Sequence, residues 1–344
     1  MKNKVVEVPA LKDPIRKSPG FAKKELSQFK LDLLALCGFG CRYCSSNAGN
    51  YLRINREKFA GITEDQLGER VLPADDPSLT LLWPGVLDNL ERQLSTKERS
   101  WGSGLDLMFS MLTDGFSPLL VKDGITERAL QMVLDHTSFR IRVLTKSAVV
   151  GSSKWVEFFQ RHPGRFVVGL SVGSLDASWA RKVEIGCSLP KARLKALRTL
   201  QDASVPTFGM LCPVFPDALA GTDLEILIKQ VRPERVETFW AEPYNDRANW
   251  EIVREGYQPG SYGRSFLTEV YGEGRTDLWS MYATELFIRL LLKAQRGGWE
   301  SKLRYLLYEG NIRKEDAPTF KGMDCVLLQD KPGDDGQSRN PHMR

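Results

Sequence analysis

The chain has 344 residues, 42% apolar and 26% charged, with a formal net charge of +5, which is long enough to bury a large core in one α/β domain with extensions or in two domains. That composition is ordinary for a folded globular chain, and the longest apolar runs, such as Leu286-Phe-Ile, are soon broken by a charge, so no segment approaches a membrane span. Six cysteines are too sparse for a disulfide framework and the leading residues do not read as a signal peptide; a cytoplasmic protein is the expectation.

The charge is local. Residues 1–30 carry Lys2, Lys4, Lys12, Arg16, Lys17, Lys23, Lys24 and Lys30 against Glu7, Asp13 and Glu25, which accounts for the whole +5 and leaves the rest formally neutral. Pro9, Pro14 and Pro19 interrupt any periodicity, so residues 1–29 are expected to form a basic extended arm. Such an arm can dock on phosphate, although a solvated terminal segment is the commoner outcome.

Lys30 to Leu36 reads as the first core strand, ending at Cys37-Gly-Phe-Gly-Cys41-Arg-Tyr-Cys44. Residues 45–102 are weakly periodic, with one helix expected over 85–95, and are read as a cap insertion. Strands are then expected near 105–111, 140–145, 166–171, 207–212 and 236–241, with helices near 126–135, 154–161, 190–202 and 223–231 between them. That alternation argues for a parallel sheet. Residues 244–274 read as irregular, 276–296 as a long helix, 302–308 as a late strand and 330–344 as a mobile polar tail.

Three thiolates within eight residues, on a glycine-bearing loop, can wrap one corner of an iron–sulfur cluster and leave one iron without a protein ligand. A structural zinc site is a competing reading, but it wants four ligands; the first histidine is His136 and the next cysteine is Cys187. Three buried, unliganded cysteines are the other alternative, for which a glycine-broken loop is an unusual place.

The C-x3-C-x2-C spacing of Cys37, Cys41 and Cys44, with Tyr43 before the last cysteine, resembles the signature of the radical S-adenosylmethionine (SAM) superfamily. Thr113-Asp114 with Ser117-Pro118, Thr145-Lys146-Ser147, Ser171, and Lys182-Val-Glu184 followed by Arg193 narrow the resemblance to the branch that contains spore photoproduct lyase, over roughly residues 30–220. The resemblance implies a 4Fe-4S cluster on Cys37, Cys41 and Cys44, with SAM held by Tyr43, Thr113, Asp114, Lys146 and Ser171 and close to Glu184 and Arg193. A zwitterionic methionine group needs an acceptor for its ammonium and a cation for its carboxylate, which Asp114 and Lys146 can supply. The chain departs from the family where Glu184 is followed by Ile185 in place of proline. No cysteine lies between Cys44 and Cys187, so the lyase's hydrogen-donor cysteine has no counterpart there.

Cys212, at a strand end, is a candidate radical relay, with burial as a small hydrophobe the alternative; Cys187 is a weaker case of the same kind and Cys325 has no cysteine company. Glu242, Asn245 and Arg247, in an aromatic-rich stretch after a strand, are the candidate substrate readers. The combined expectation is an α/β fold: a partial (β/α)6 parallel barrel of radical SAM type over residues 30–245, with the N-terminal arm and a C-terminal extension over 246–344. The activity expected is reductive cleavage of SAM to a 5′-deoxyadenosyl radical, fed by a flavodoxin or ferredoxin-type electron donor; the substrate is not readable, a nucleic acid or nucleotide being the first expectation and a peptide or small metabolite the next. A metal-containing nucleic-acid-binding protein without radical catalysis, and a SAM-binding protein without turnover, are the rivals.

Overall fold

A computed structural model describes residues 4–110, 112–246 and 248–344. Among the described residues twelve strands form two sheets. The larger has the order β12-β11-β10-β9-β8-β7-β6-β3-β2, built from β2 (Ile15–Lys17), β3 (Phe29–Leu31), β6 (Asp106–Phe109), β7 (Arg140–Thr145), β8 (Phe166–Ser171), β9 (Thr207–Val214), β10 (Phe239–Pro243), β11 (Leu303–Leu307) and β12 (Val326–Leu328). Every pairing from β3 to β12 is parallel and only β2 runs antiparallel. The fold is therefore the expected α/β class with a parallel sheet; β11 is the late strand expected over 302–308, and β2 and β12 extend the sheet beyond the strands anticipated.

The connections explain the parallel order. Helices Ile125–His136, Ser153–Gln160, Pro190–Asp202 and Asp223–Val231 separate successive strands, and each presents apolar residues at helical spacing, such as Ala129, Leu130, Val133 and Leu134, to one face of the sheet. Strand residues alternate between that helix-covered core and a second core on the opposite face, where Met108, Val167, Phe208, Met210, Trp240 and Leu306 pack with Leu26. No helix among the described residues is long and apolar enough to cross a membrane.

The segment read as an extended arm is, over its described residues, extended in part and paired with the sheets at two places. β1 (Val5–Glu7) runs parallel to β5 (Thr80–Leu82), and β2 pairs with β3. The short helix Pro19–Ala22 then brings Leu26 onto the sheet's second face, and the Trp240 indole donates to the Lys24 carbonyl at 2.9 Å. Five of the basic side chains in residues 1–30 are engaged internally: Lys4 with Glu69 at 2.6 Å, Arg16 and Lys30 with Asp32 at 3.9 and 3.5 Å, Lys23 with the Asp330 carbonyl at 2.6 Å, and Lys24 with the Tyr308 hydroxyl at 3.1 Å.

The single strand expected over Lys30–Leu36 is broken at Asp32. This buried carboxylate accepts the Leu112 amide at 3.1 Å, and the chain turns there from β3 into β4 (Leu34–Leu36), which belongs to the small sheet of order β1-β5-β4. Residues 45–102 supply β5 of that sheet and an 18-residue helix, Asn50–Leu67, which periodicity missed because its buried stripe is only Leu52, Phe59, Ala60 and Thr63. The tail expected to be mobile is instead pinned: the buried Asn340 amide donates to the Glu309 and Ile312 carbonyls at 2.7 and 2.8 Å.

Candidate active site

β4 delivers the chain into the cysteine loop, and the loop's glycines are where it must pass close to residues 77–80. A Cβ on Gly38 would stand 2.6 Å from Thr80 Oγ1, and Gly40 has φ +60° with Pro77 Cβ at 2.3 Å from its own missing one. On the other side the Arg42 amide donates to the Val183 carbonyl and the Gly186 amide to the Phe39 carbonyl, both at 2.8 Å. The loop is thus clamped between residues 77–80 and the end of helix Ala177–Val183 with the segment that follows it.

Cys37, Cys41 and Cys44 line one cavity of about 150 Å³ together with Tyr43, Thr113, Asp114 and Lys146. These come from the ends of β4, β6 and β7, the edge at which parallel α/β sheets build their sites. Among the described residues no three His, Cys, Asp or Glu side chains converge on a single metal-ion position. Thiolates that hold a cluster need not converge, because each binds its own iron. A purely thiolate donor set on a shared cavity therefore fits an iron–sulfur cluster. Ser110, at the end of β6 with φ +58°, also lines the cavity, and its buried hydroxyl has no partner among the described residues. An unpaired buried hydroxyl is a place for a polar ligand to bind.

Asp114 is nearly inaccessible and well satisfied: it accepts from Thr145 Oγ1 at 2.7 Å, the Lys146 amide at 2.8 Å and the Phe116 amide at 2.9 Å. Burial pushes its pKa up while those donors pull the other way. Its first role in the fold is to tie the end of β6 to the end of β7. The Lys146 ammonium lies 5.4 Å from the centre of the Tyr43 ring. Burial would lower its pKa, but charge on Cys41 and Glu184 outweighs that and raises it, so the cation is retained.

Beneath this layer Tyr43 donates its hydroxyl to Glu184, and Glu184 is paired with Arg193, which is fully buried and also donates to the Ser171 carbonyl at 2.6 Å. Burial would raise the Glu184 pKa, yet Arg193 and Lys146 hold it below the usual carboxylate range. Ser171 Oγ donates to the Cys212 carbonyl at 3.1 Å. Of the residues associated with SAM from the sequence, Tyr43, Thr113, Asp114 and Lys146 face the cavity; Ser171, Glu184 and Arg193 form the buried support behind it.

The substrate candidates lie further round the sheet. Cys212 and Glu242 are half-buried near the ends of β9 and β10, and burial, followed by the Glu242 charge, pushes the Cys212 thiol well up. Lys24 and Lys146 bear on the same thiol in the opposite sense. Asn245 sits in the following loop, and Arg247 lies outside the described residues. The sequence reading missed Ser110 and the placement of Cys187, whose sulfur is 3.3 Å from that of Cys41. Neither has a local signal, since one depends on a strained strand end and the other on a contact 146 residues away in the chain.

No family model matches the chain, and no curated protein sequence matches it. Solved structures similar to it include spore photoproduct lyase complexed with dinucleoside spore photoproduct, at 17% identity and TM-score 0.46 over 75% of this chain and 67% of that one. A variant of the same lyase with bound AdoMet and dinucleoside spore photoproduct gives 15% and 0.46 over 82% and 79%. The structure of anSMEcpe with bound AdoMet gives 13% and 0.37 over 60% and 48%. At such identities the chemistry has to be read from this chain's own residues.

Proposed function

We propose that this protein is a radical SAM enzyme. The observation that carries the reading is the cavity itself: the three cysteines of a C-x3-C-x2-C loop open onto one space with a half-buried lysine, a carboxylate and a hydroxyl without a partner among the described residues. Cys37, Cys41 and Cys44 would hold a 4Fe-4S cluster; such a cluster, once reduced, supplies the electron that cleaves SAM to methionine and a 5′-deoxyadenosyl radical.

The chain's own part is to bind, orient and exclude water. Lys146 offers a cation to the methionine carboxylate and Asp114 an acceptor to the ammonium, while Ser110 adds a hydroxyl at the cavity wall. The Tyr43–Glu184–Arg193 chain fixes the loop's aromatic residue from behind. We assign substrate to the neighbouring strand ends, where Glu242 and Asn245 offer polar contacts and Cys212, kept as a thiol by burial, holds a hydrogen atom available for transfer. Arg247 belongs to the same proposal by position. A flavodoxin or ferredoxin-type protein in the cytoplasm would supply the electron.

The rival reading, a nucleic-acid-binding protein whose metal is structural, needs a free basic arm for its affinity. Four of the arm's basic side chains, Lys4, Arg16, Lys23 and Lys24, are engaged with internal partners, and so is Lys30 just after it. A nucleotide-type substrate would therefore have to be recognised at the strand ends.

The deciding experiment is anaerobic reconstitution with iron and sulfide, reduction with dithionite, addition of SAM and assay for 5′-deoxyadenosine beside a Cys41→Ala control. Deoxyadenosine that depends on Cys41 is the expected result. None, with zinc in place of iron in protein purified without air, would overturn the enzyme reading.

A further inference from the structure

Cys187 has no part in the chemistry above, yet it lies against a cysteine that does. Its Sγ is 3.3 Å from Cys41 Sγ, and both are free thiols. The backbone builds this approach from both sides: Cys41 forms an isolated bridge with Glu184, the Gly186 amide donates to Phe39, and the Cys187 amide donates to the Glu184 carbonyl at 3.0 Å. A Cβ on Gly186 would stand 3.0 Å from the Phe39 Cα, so glycine is what allows the two segments so close. The segment is anchored in turn by the buried Glu184–Arg193 pair.

We propose that Cys41 and Cys187 form a redox-modifiable dithiol, which a peroxide converts to a disulfide in the cluster-free chain, withdrawing Cys41 from the ligand set. The second half rests on the cluster reading given above; the first does not. Closing the pair to a bond of about 2.05 Å asks for a movement on the order of 1 Å. One thiol is oxidised by hydrogen peroxide to a sulfenic acid with release of water, and the other thiol displaces a second water as the S–S bond forms. Two electrons and both sulfur-bound protons leave the pair, and the peroxide O–O bond is reduced to two waters. With a cluster bound, Cys41 is occupied, so the modification belongs to the chain before loading or after cluster loss.

The test uses the full chain prepared without cluster. It is treated with hydrogen peroxide, its remaining thiols are alkylated, and it is digested with trypsin. Cleavage after Lys30, Arg42, Arg53, Lys182 and Lys191 places Cys37 and Cys41 in residues 31–42, Cys44 in 43–53 and Cys187 in 183–191. The expected product is residues 31–42 linked to 183–191, reversible by dithiothreitol, retained in Cys37→Ser and lost in both Cys187→Ser and Cys187→Ala. Titratable thiols should fall by two from the six of the reduced chain. Iron uptake by the oxidised wild type should fall at least tenfold and return with dithiothreitol, while Cys187→Ser loads equally before and after peroxide. Absence of the linked peptide, or linkage confined to residues 31–53, would overturn the dithiol. A linked peptide beside a reduced chain that binds no iron would instead overturn the cluster reading and leave the dithiol standing.

Discussion

Two residues carry opposite kinds of work at the site. Lys146 is a half-buried cation facing the cavity, and a charge-assisted hydrogen bond from such a group contributes about 1.5–3 kcal/mol. Lys146→Ala should weaken SAM binding by about tenfold to a hundredfold, read by calorimetry on iron-loaded protein, with iron content unchanged; equal affinity would remove the carboxylate assignment. Glu184 works by holding others. Glu184→Gln leaves the Arg193 charge buried and uncompensated, and loss of one member of such a pair costs about 3–5 kcal/mol. Its urea midpoint should drop accordingly. Asp217, away from the cysteines, gives a pH signature. Burial, with Asp176 and Asp223 adding to it, pushes its carboxyl up to about 6 even though the Tyr257 hydroxyl donates to it at 2.5 Å. The folded state therefore favours the protonated form: its contribution to stability is complete below the unfolded pKa of about 4 and is lost as pH rises through about 6. Asp217→Asn should flatten that part of the stability profile.

At the scale of elements, the cysteine loop depends on glycine for reasons of space. Gly40 combines a left-handed φ with a missing Cβ that would overlap Pro77. Gly40→Ala should shift the loop while leaving the parallel sheet in place. The measurable result is at least a several-fold loss of iron retained per chain, with far-ultraviolet circular dichroism unchanged. An equally loaded variant would show that the loop can yield elsewhere. Residues 77–80 hold the loop directly, since the Gly38 amide donates to Thr80 Oγ1 at 3.2 Å and Ser78 and Pro77 bound the glycines.

Across the whole molecule, the N-terminal residues act as a structural wrap. They contribute β1 to the small sheet and β2 to the large one, and they cover the sheet's second face through Leu26. Deleting residues 1–29 should therefore abolish cooperative unfolding or yield insoluble protein. If the truncated chain instead folded normally and lost only salt-dependent affinity for nucleic acid, the arm would regain the docking role its charge suggests.

The sequence by itself determined what is local in origin. The crossover helices follow from apolar residues three and four apart, as at Leu130, Val133 and Leu134, and β7 and β8 from compact apolar runs, so their bounds were legible without coordinates. The cysteine triplet was legible for the same reason, because its spacing lies within one loop. Tertiary structure alone decided the break at Asp32, the pairing of the basic arm, the docking of helix Asn50–Leu67 on a narrow stripe, and the meeting of Cys41 with Cys187. Each of these depends on partners tens to hundreds of residues away, and no periodicity within a segment records which distant surface will satisfy its charges or cover its apolar face.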